Sequence, residues 1–155
     1  MGRVLISFLL ALSCVVLCSS SVAAQRNVTP AIDRDPVLEA DAKHNLDVAR
    51  QAFLPLKQAY KQVLLRFDET YAAYPEFSQM DEFLYMAGMS SYYLSENKGK
   101  QKVDPKSEKD MKRFAPEKLR EDAVAYLSML VDKYPQSKFK PDAEKTLAEM
   151  KAAKP

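Results

Sequence analysis

The sequence predicts an all-α domain, a tandem stack of antiparallel helix pairs with about five helices. Three observations predict it. From Val37 onward apolar residues recur at steps of three and four, the period of a helix with one buried face. No segment alternates with period two, so no sheet is expected. One helix ending, Tyr-Pro followed by a short loop and a new helix, occurs twice, at Tyr74-Pro75 and Tyr134-Pro135.

The chain has 155 residues, and the first 24 read as a secretory signal rather than as part of the fold. Arg3 supplies a positive start, Val4 to Cys18 is apolar apart from Ser7 and Ser13, and Ser19 to Ala24 supplies small residues for cleavage after Ala24. The apolar run is shorter than the ~20 residues a spanning helix needs. Both cysteines lie in this segment, so a lipid-modified version of the signal is the competing reading. Cys14 follows Ala11-Leu12-Ser13 and has a small residue before it, whereas Cys18 follows the bulky Leu17; Cys14 is the candidate for a lipid anchor. Cleavage after Ala24 would leave no cysteine, and with it no disulfide and no thiolate metal site. Residues 25–36 carry two prolines and no apolar period, and read as a flexible leader.

The helical domain is expected over 37–152. Its first helix, 37 to 53, carries Ala42, Leu46, Ala49 and Phe53 on one face. Pro55 breaks it and suits a first helical turn, so a second helix is expected to bury Leu56, Tyr60, Val63, Phe67, Tyr71 and Tyr74 up to Pro75. A third helix, N-capped by Ser78 with Asp81 and Glu82 in its first turn, would bury Leu84, Ala87, Gly88 and Ser91. Residues 95–116 hold seven basic and four acidic residues and few apolar ones. They read as a charged insertion that stays out of the core. Pro116 opens a fourth helix with Leu119, Ala123, Leu127, Leu130 and Tyr134, and Pro141 opens a fifth with Ala143, Leu147 and Met150.

The two Tyr-Pro endings lie 60 residues apart, and removing the 22-residue insertion leaves 38, near the tetratricopeptide period of about 34. Such units need a small residue where the second helix approaches the first, large apolar residues four and seven further on, and a Pro that ends the unit. Ala123, Leu127, Leu130 and Pro135 meet that frame in full; Val63, Phe67, Thr70 and Pro75 meet it in part. The fold expected is therefore two tetratricopeptide-like units plus a C-terminal helix. Tyr-Pro-(Glu/Gln)-x-(Ser/Lys) phrases with Leu84-Tyr85, Gly88 and Tyr92 in the helix after the first resemble the periplasmic tetratricopeptide proteins typified by BamD. The YbgF-type division coordinators share these phrases and come second. The resemblance implies an outer-membrane lipoprotein that scaffolds envelope proteins, in the case of BamD the machinery that assembles β-barrels.

The chemistry visible in the residues agrees with binding rather than catalysis. Of 23 Lys and Arg, Arg3 lies in the signal, which leaves 22 against 21 Asp and Glu; this near-neutral balance calls for no nucleic-acid partner. His44 is the single histidine, and no phosphate loop or nucleophile elbow is present, so no enzyme, cofactor or metal is expected. Tyr92 and Tyr93 differ by about 100° on a helix and cannot both face inward with Tyr85. Tyr85, Tyr92 and Tyr93, with Arg50 and Lys57 on the neighbouring pair, are the expected protein-binding residues, since Tyr and Arg are favoured anchors. The expected partners are other envelope proteins, with membrane contact only through them or through Cys14, and the location is the periplasm or the outer membrane. A self-assembling module that oligomerises through 37–53 is the alternative.

Overall fold

The computed structural model describes residues 34–152; the signal, most of the leader and both cysteines lie outside them. Six helices follow one another: α1 (Pro36–Phe53), α2 (Tyr60–Ala73), α3 (Met80–Ser95), the short α4 (Glu108–Phe114), α5 (Pro116–Lys133) and α6 (Lys140–Ala152). No strand occurs among the described residues. Each long helix packs on the next, α1 on α2, α2 on α3, α3 on α5 and α5 on α6, and α1 also touches α3. This is the expected tetratricopeptide-like stack.

Local chemistry sets the helix ends. Asp35 caps α1 by accepting from the Val37 and Leu38 amides at 2.8 and 3.3 Å, and Pro36 fills the first turn. At the close of α2 the Tyr74 amide donates to Thr70 O (2.7 Å), Phe77 N to Tyr74 O and Met80 N to Phe77 O. Sixty residues on, Tyr134 N donates to Leu130 O (2.9 Å), Ser137 N to Tyr134 O and Lys140 N to Ser137 O. The repeated Tyr-Pro phrase is thus one turn built twice. Ser78 does not cap α3; the cap position is Gln79, without a side-chain bond, and the Ser78 amide instead donates to Glu39.

The core lies between the helices where the periodicity placed it. Leu46, Val63, Phe67, Phe83, Leu84, Leu119, Leu127 and Leu130 are fully buried, and Phe67 meets Phe83 and Tyr126 edge-on at 5.6 and 4.8 Å. Ala123 and Gly88 are buried where α3 and α5 cross.

Two further expectations fail. Leu56 is not on the buried face of α2; that helix starts at Tyr60, and Leu56 sits 82% exposed in the connecting loop. Pro55 holds Leu54 in an extended conformation, so the chain needs six residues to turn before a helix can restart. The charged segment also packs. Ser107 caps α4, Phe114 at its end is buried, and Val103 lies against the core. Asp110 accepts from Lys61 Nζ (2.6 Å) and from the Asp104 amide (2.9 Å), and Arg113 pairs with Asp68. Composition judged the segment by its average polarity; Phe114 and Met111, three apart, give the short helix one apolar edge.

Candidate functional site

The turn after α1 and the turn after α3 come together at one end of the first three helices. Both turns are dictated locally. After α3, Asn97 takes the left-handed conformation (φ 53°), Lys98 N donates to Tyr93 O (2.8 Å) and Asn97 N to Leu94 O (2.9 Å), the paired bonds of a Schellman ending. After α1, Lys57 and Gln58 amides both donate to Leu54 O (2.9 Å), with Gln58 at φ 46°. Lys100 N then donates to Gln58 O (3.2 Å), and its ammonium donates to Leu56 O, which joins the two turns. Gly99, at φ 95°, lies against the Tyr60 ring; a Cβ there would sit 2.6 Å from Tyr60 Cδ2, so only glycine fits.

Between the turns opens a cleft of about 700 Å³. Its floor is aromatic: Phe53 and Tyr60 meet edge-on at 5.8 Å, and Tyr60 and Tyr93 lie 5.2 Å apart. Leu54 and Pro55 form an apolar lip, and Leu54 is 45% exposed. Lys98 and Lys102, from the turn after α3, also line it. The Lys98 ammonium lies 5.6 Å from the Tyr92 ring and 6.0 Å from that of Tyr93, within cation–π range. Burial pushes the Tyr60 and Tyr93 phenols above their ordinary range, so both stay neutral in the physiological range. Every residue with positive φ among the described ones, Gln58, Asn97 and Gly99, lines this cleft. Left-handed non-glycine residues cost free energy, and they concentrate at binding sites.

The five sequence-derived binding residues separate. Tyr93 lines the cleft, Tyr92 stands beside it at 5.9 Å from Tyr93, and Lys57 is exposed in the turn between Leu54 and Tyr60. Tyr85 lies two turns earlier on α3 and stacks on Phe139 at 4.9 Å, covering the approach to α6. Arg50 is engaged within the fold: its guanidinium donates to both Glu82 oxygens at 2.7 Å, to Asp47 at 2.7 Å and to Gln79 at 2.9 Å. Phe53, Leu54, Gln58, Asn97 and Gly99 were not among the expected binding residues. The signal for them was present in the turn formers, Pro55 on one side and Asn97-Lys98-Gly99 on the other, but nothing local says that the two turns meet.

Among the described residues no group of three His, Cys, Asp or Glu side chains is arranged to hold a metal, and no helix is long and apolar enough to cross a membrane. No curated protein and no solved structure matches the chain. The sequence profile of a family described as outer membrane lipoprotein, YfiO, matches residues 19–153, which take in the whole helical stack and both turns of the cleft. This chain belongs to the YfiO family of outer membrane lipoproteins and is an outer-membrane-associated protein of the cell envelope.

Proposed function

We propose that the chain is a non-enzymatic scaffold of outer-membrane protein assembly that holds a segment of another envelope protein in the cleft between the α1–α2 and α3–α4 turns. The observation that carries this reading is the coincidence, at one place, of an open aromatic floor, an exposed apolar lip and the three described residues of positive φ. Concave sites with a mostly apolar lining and a few polar groups are where ligands are held. Tyr92 and Tyr93 bring the large, rigid area that binding anchors use. Family membership supports the envelope setting and a lipid tether, for which Cys14 is the residue with a small neighbour before it.

A photo-crosslinker placed at Leu56, in the full chain in living cells, tests this. The expected outcome is one abundant adduct with an outer-membrane assembly protein, and a several-fold loss of that adduct in a Tyr92→Ala chain of unchanged helicity. Adducts made only of the chain itself would favour the self-assembling module instead. The mass of the chain purified from the same cells reads the tether: a diacylglyceryl mass on a chain starting at Cys14 is expected, and an unmodified start at Gln25 would refute it.

A further inference from the structure

The cleft is ringed by positive charge that the protein leaves unneutralised. Lys57, Lys98, Lys100 and Lys102 all lie in the two turns that form it, and none of the four takes part in a salt bridge among the described residues. The bonds they do make leave their charge in place. Lys100 and Lys102 donate to the backbone carbonyls of Leu56 and Asn97, and Lys98 lies over tyrosine faces. Of the acids in the same stretch, Glu96 is paired with Arg120 at 2.7 Å, whereas Asp104, whose carboxylate accepts from the Lys106 amide at 2.9 Å, keeps its charge against those of four lysines. Four lysines without a carboxylate partner among the described residues thus stand around a cleft with an aromatic floor, a juxtaposition that selects for a partner of opposite sign.

Resting on the reading of this cleft as a partner site, we infer that its occupant is an acidic protein segment in extended conformation, carrying an aromatic or large aliphatic side chain flanked by carboxylates. The apolar side chain enters between Leu54 and the Tyr60–Tyr93 floor. The carboxylates meet the ammonium groups of Lys57, Lys98 and Lys102 at the edge. A floor of ring faces and edges accepts a side chain, whereas a lipid headgroup would use the lysines and leave the floor empty. The left-handed Gln58 and Asn97 hold the turns open without the occupant, so the site is formed in advance and little ordering cost falls on binding.

The test uses the full chain in dodecyl maltoside and three fluorescein-labelled peptides of about ten residues, with Phe and Leu at the same positions and Asp, Ser or Lys at all others. Fluorescence anisotropy is expected to show the Asp peptide binding about tenfold tighter than the Ser peptide at low salt, with most of that preference gone at physiological ionic strength. The Lys57→Gln/Lys102→Gln chain, whose two side chains are exposed, should lose about fivefold for the Asp peptide and nothing for the Ser peptide. Leu54→Ser, at the apolar lip, should weaken both peptides. If the Asp and Ser peptides bind alike and the lysine changes do nothing while Leu54→Ser weakens both, the acidic partner is refuted and the cleft stands. If no peptide binds or none responds to any of the three substitutions, the cleft reading itself falls. Displacement of the Asp peptide by phosphatidylglycerol added to the micelles would assign the lysines to lipid and overturn the inference.

Discussion

Where α3 crosses α5, a Cβ built on Gly88 would lie 2.6 Å from both Cγ and Cδ2 of Leu127, and Leu127 is itself fully buried. Gly in a helix interior costs about 1 kcal/mol relative to Ala, so the position is held against helix propensity by close approach. Gly88→Ala should for that reason destabilise rather than stabilise, by about 1–2 kcal/mol, since Leu127 must leave a packed rotamer by more than its methyl tips. Urea denaturation followed by circular dichroism measures this; a gain in stability would show that the crossing is looser than the distances say. Ala123 is the small residue that the repeat frame requires, and it too is fully buried. Gly99 differs in kind. There it is positive φ as well as the Tyr60 ring that excludes a side chain.

Among the elements, α4 is the one whose behaviour composition misjudged. Seven residues cannot hold a helix alone. This one is kept by the Ser107 cap, by Asp110 bridging to Lys61 on α2, and by Phe114 buried beside the N-terminus of α5. Hydrogen bonds from the Asp104 amide, then from Lys61, hold the Asp110 carboxyl below the usual carboxylate range. Phe114→Ala should therefore cost about 3 kcal/mol, the toll of a large-to-small change in a core. A serine at exposed Lys109 should cost under about 0.5 kcal/mol. Chemical denaturation of the two variants decides it, and equal small effects would mean that the segment is a loop that merely rests on the domain. The same element anchors the far end of the 96–107 connection, so its loss should also loosen the cleft.

At the scale of the described domain, side-chain contacts also reach past the sequential pairing, between α2 and α4, between α2 and α5, and between α1 and α3. Arg50 on α1 grips Glu82 on α3 with two bonds of 2.7 Å, and Glu82 is mostly buried there. This bond from Arg50 holds the Glu82 carboxyl below its ordinary value of 4.5. A carboxyl lowered in the folded state adds stability above its unfolded value, and that contribution is lost as pH falls through the folded one. Melting temperature should accordingly drop as pH is taken from neutral to below 4.5. Glu82→Gln should lower stability at neutral pH by about 1 kcal/mol, near the upper end for a partly exposed pair, and flatten that drop. Asp68, raised by burial in spite of Arg113, works in the opposite sense, so the difference between wild type and Glu82→Gln is the quantity to measure. Identical pH profiles would show that the pair contributes nothing.

What the sequence determined by itself was whatever depends on neighbours along the chain. The spacing of Ala42, Leu46 and Ala49, of Val63 and Phe67, and of Leu119, Ala123, Leu127 and Leu130 specified buried helix faces. All of these residues are buried because a 3.6-residue period is a local property. Tyr74-Pro75 and Tyr134-Pro135 specified two matching turns for the same reason, since the bonds that make them span three or four residues. The tertiary structure alone decided what depends on residues far apart. Arg50 had the composition of a binding anchor, but it lies opposite Glu82, 32 residues away, and its charge is spent inside the fold. Tyr85 and Tyr93 share a helix, yet Phe139 covers one and Phe53 and Tyr60 border the other. The cleft exists because Lys100 bonds to Gln58 across 42 residues; a sequence shows two turns there, and only the packing of α1 against α3 makes them two sides of one site.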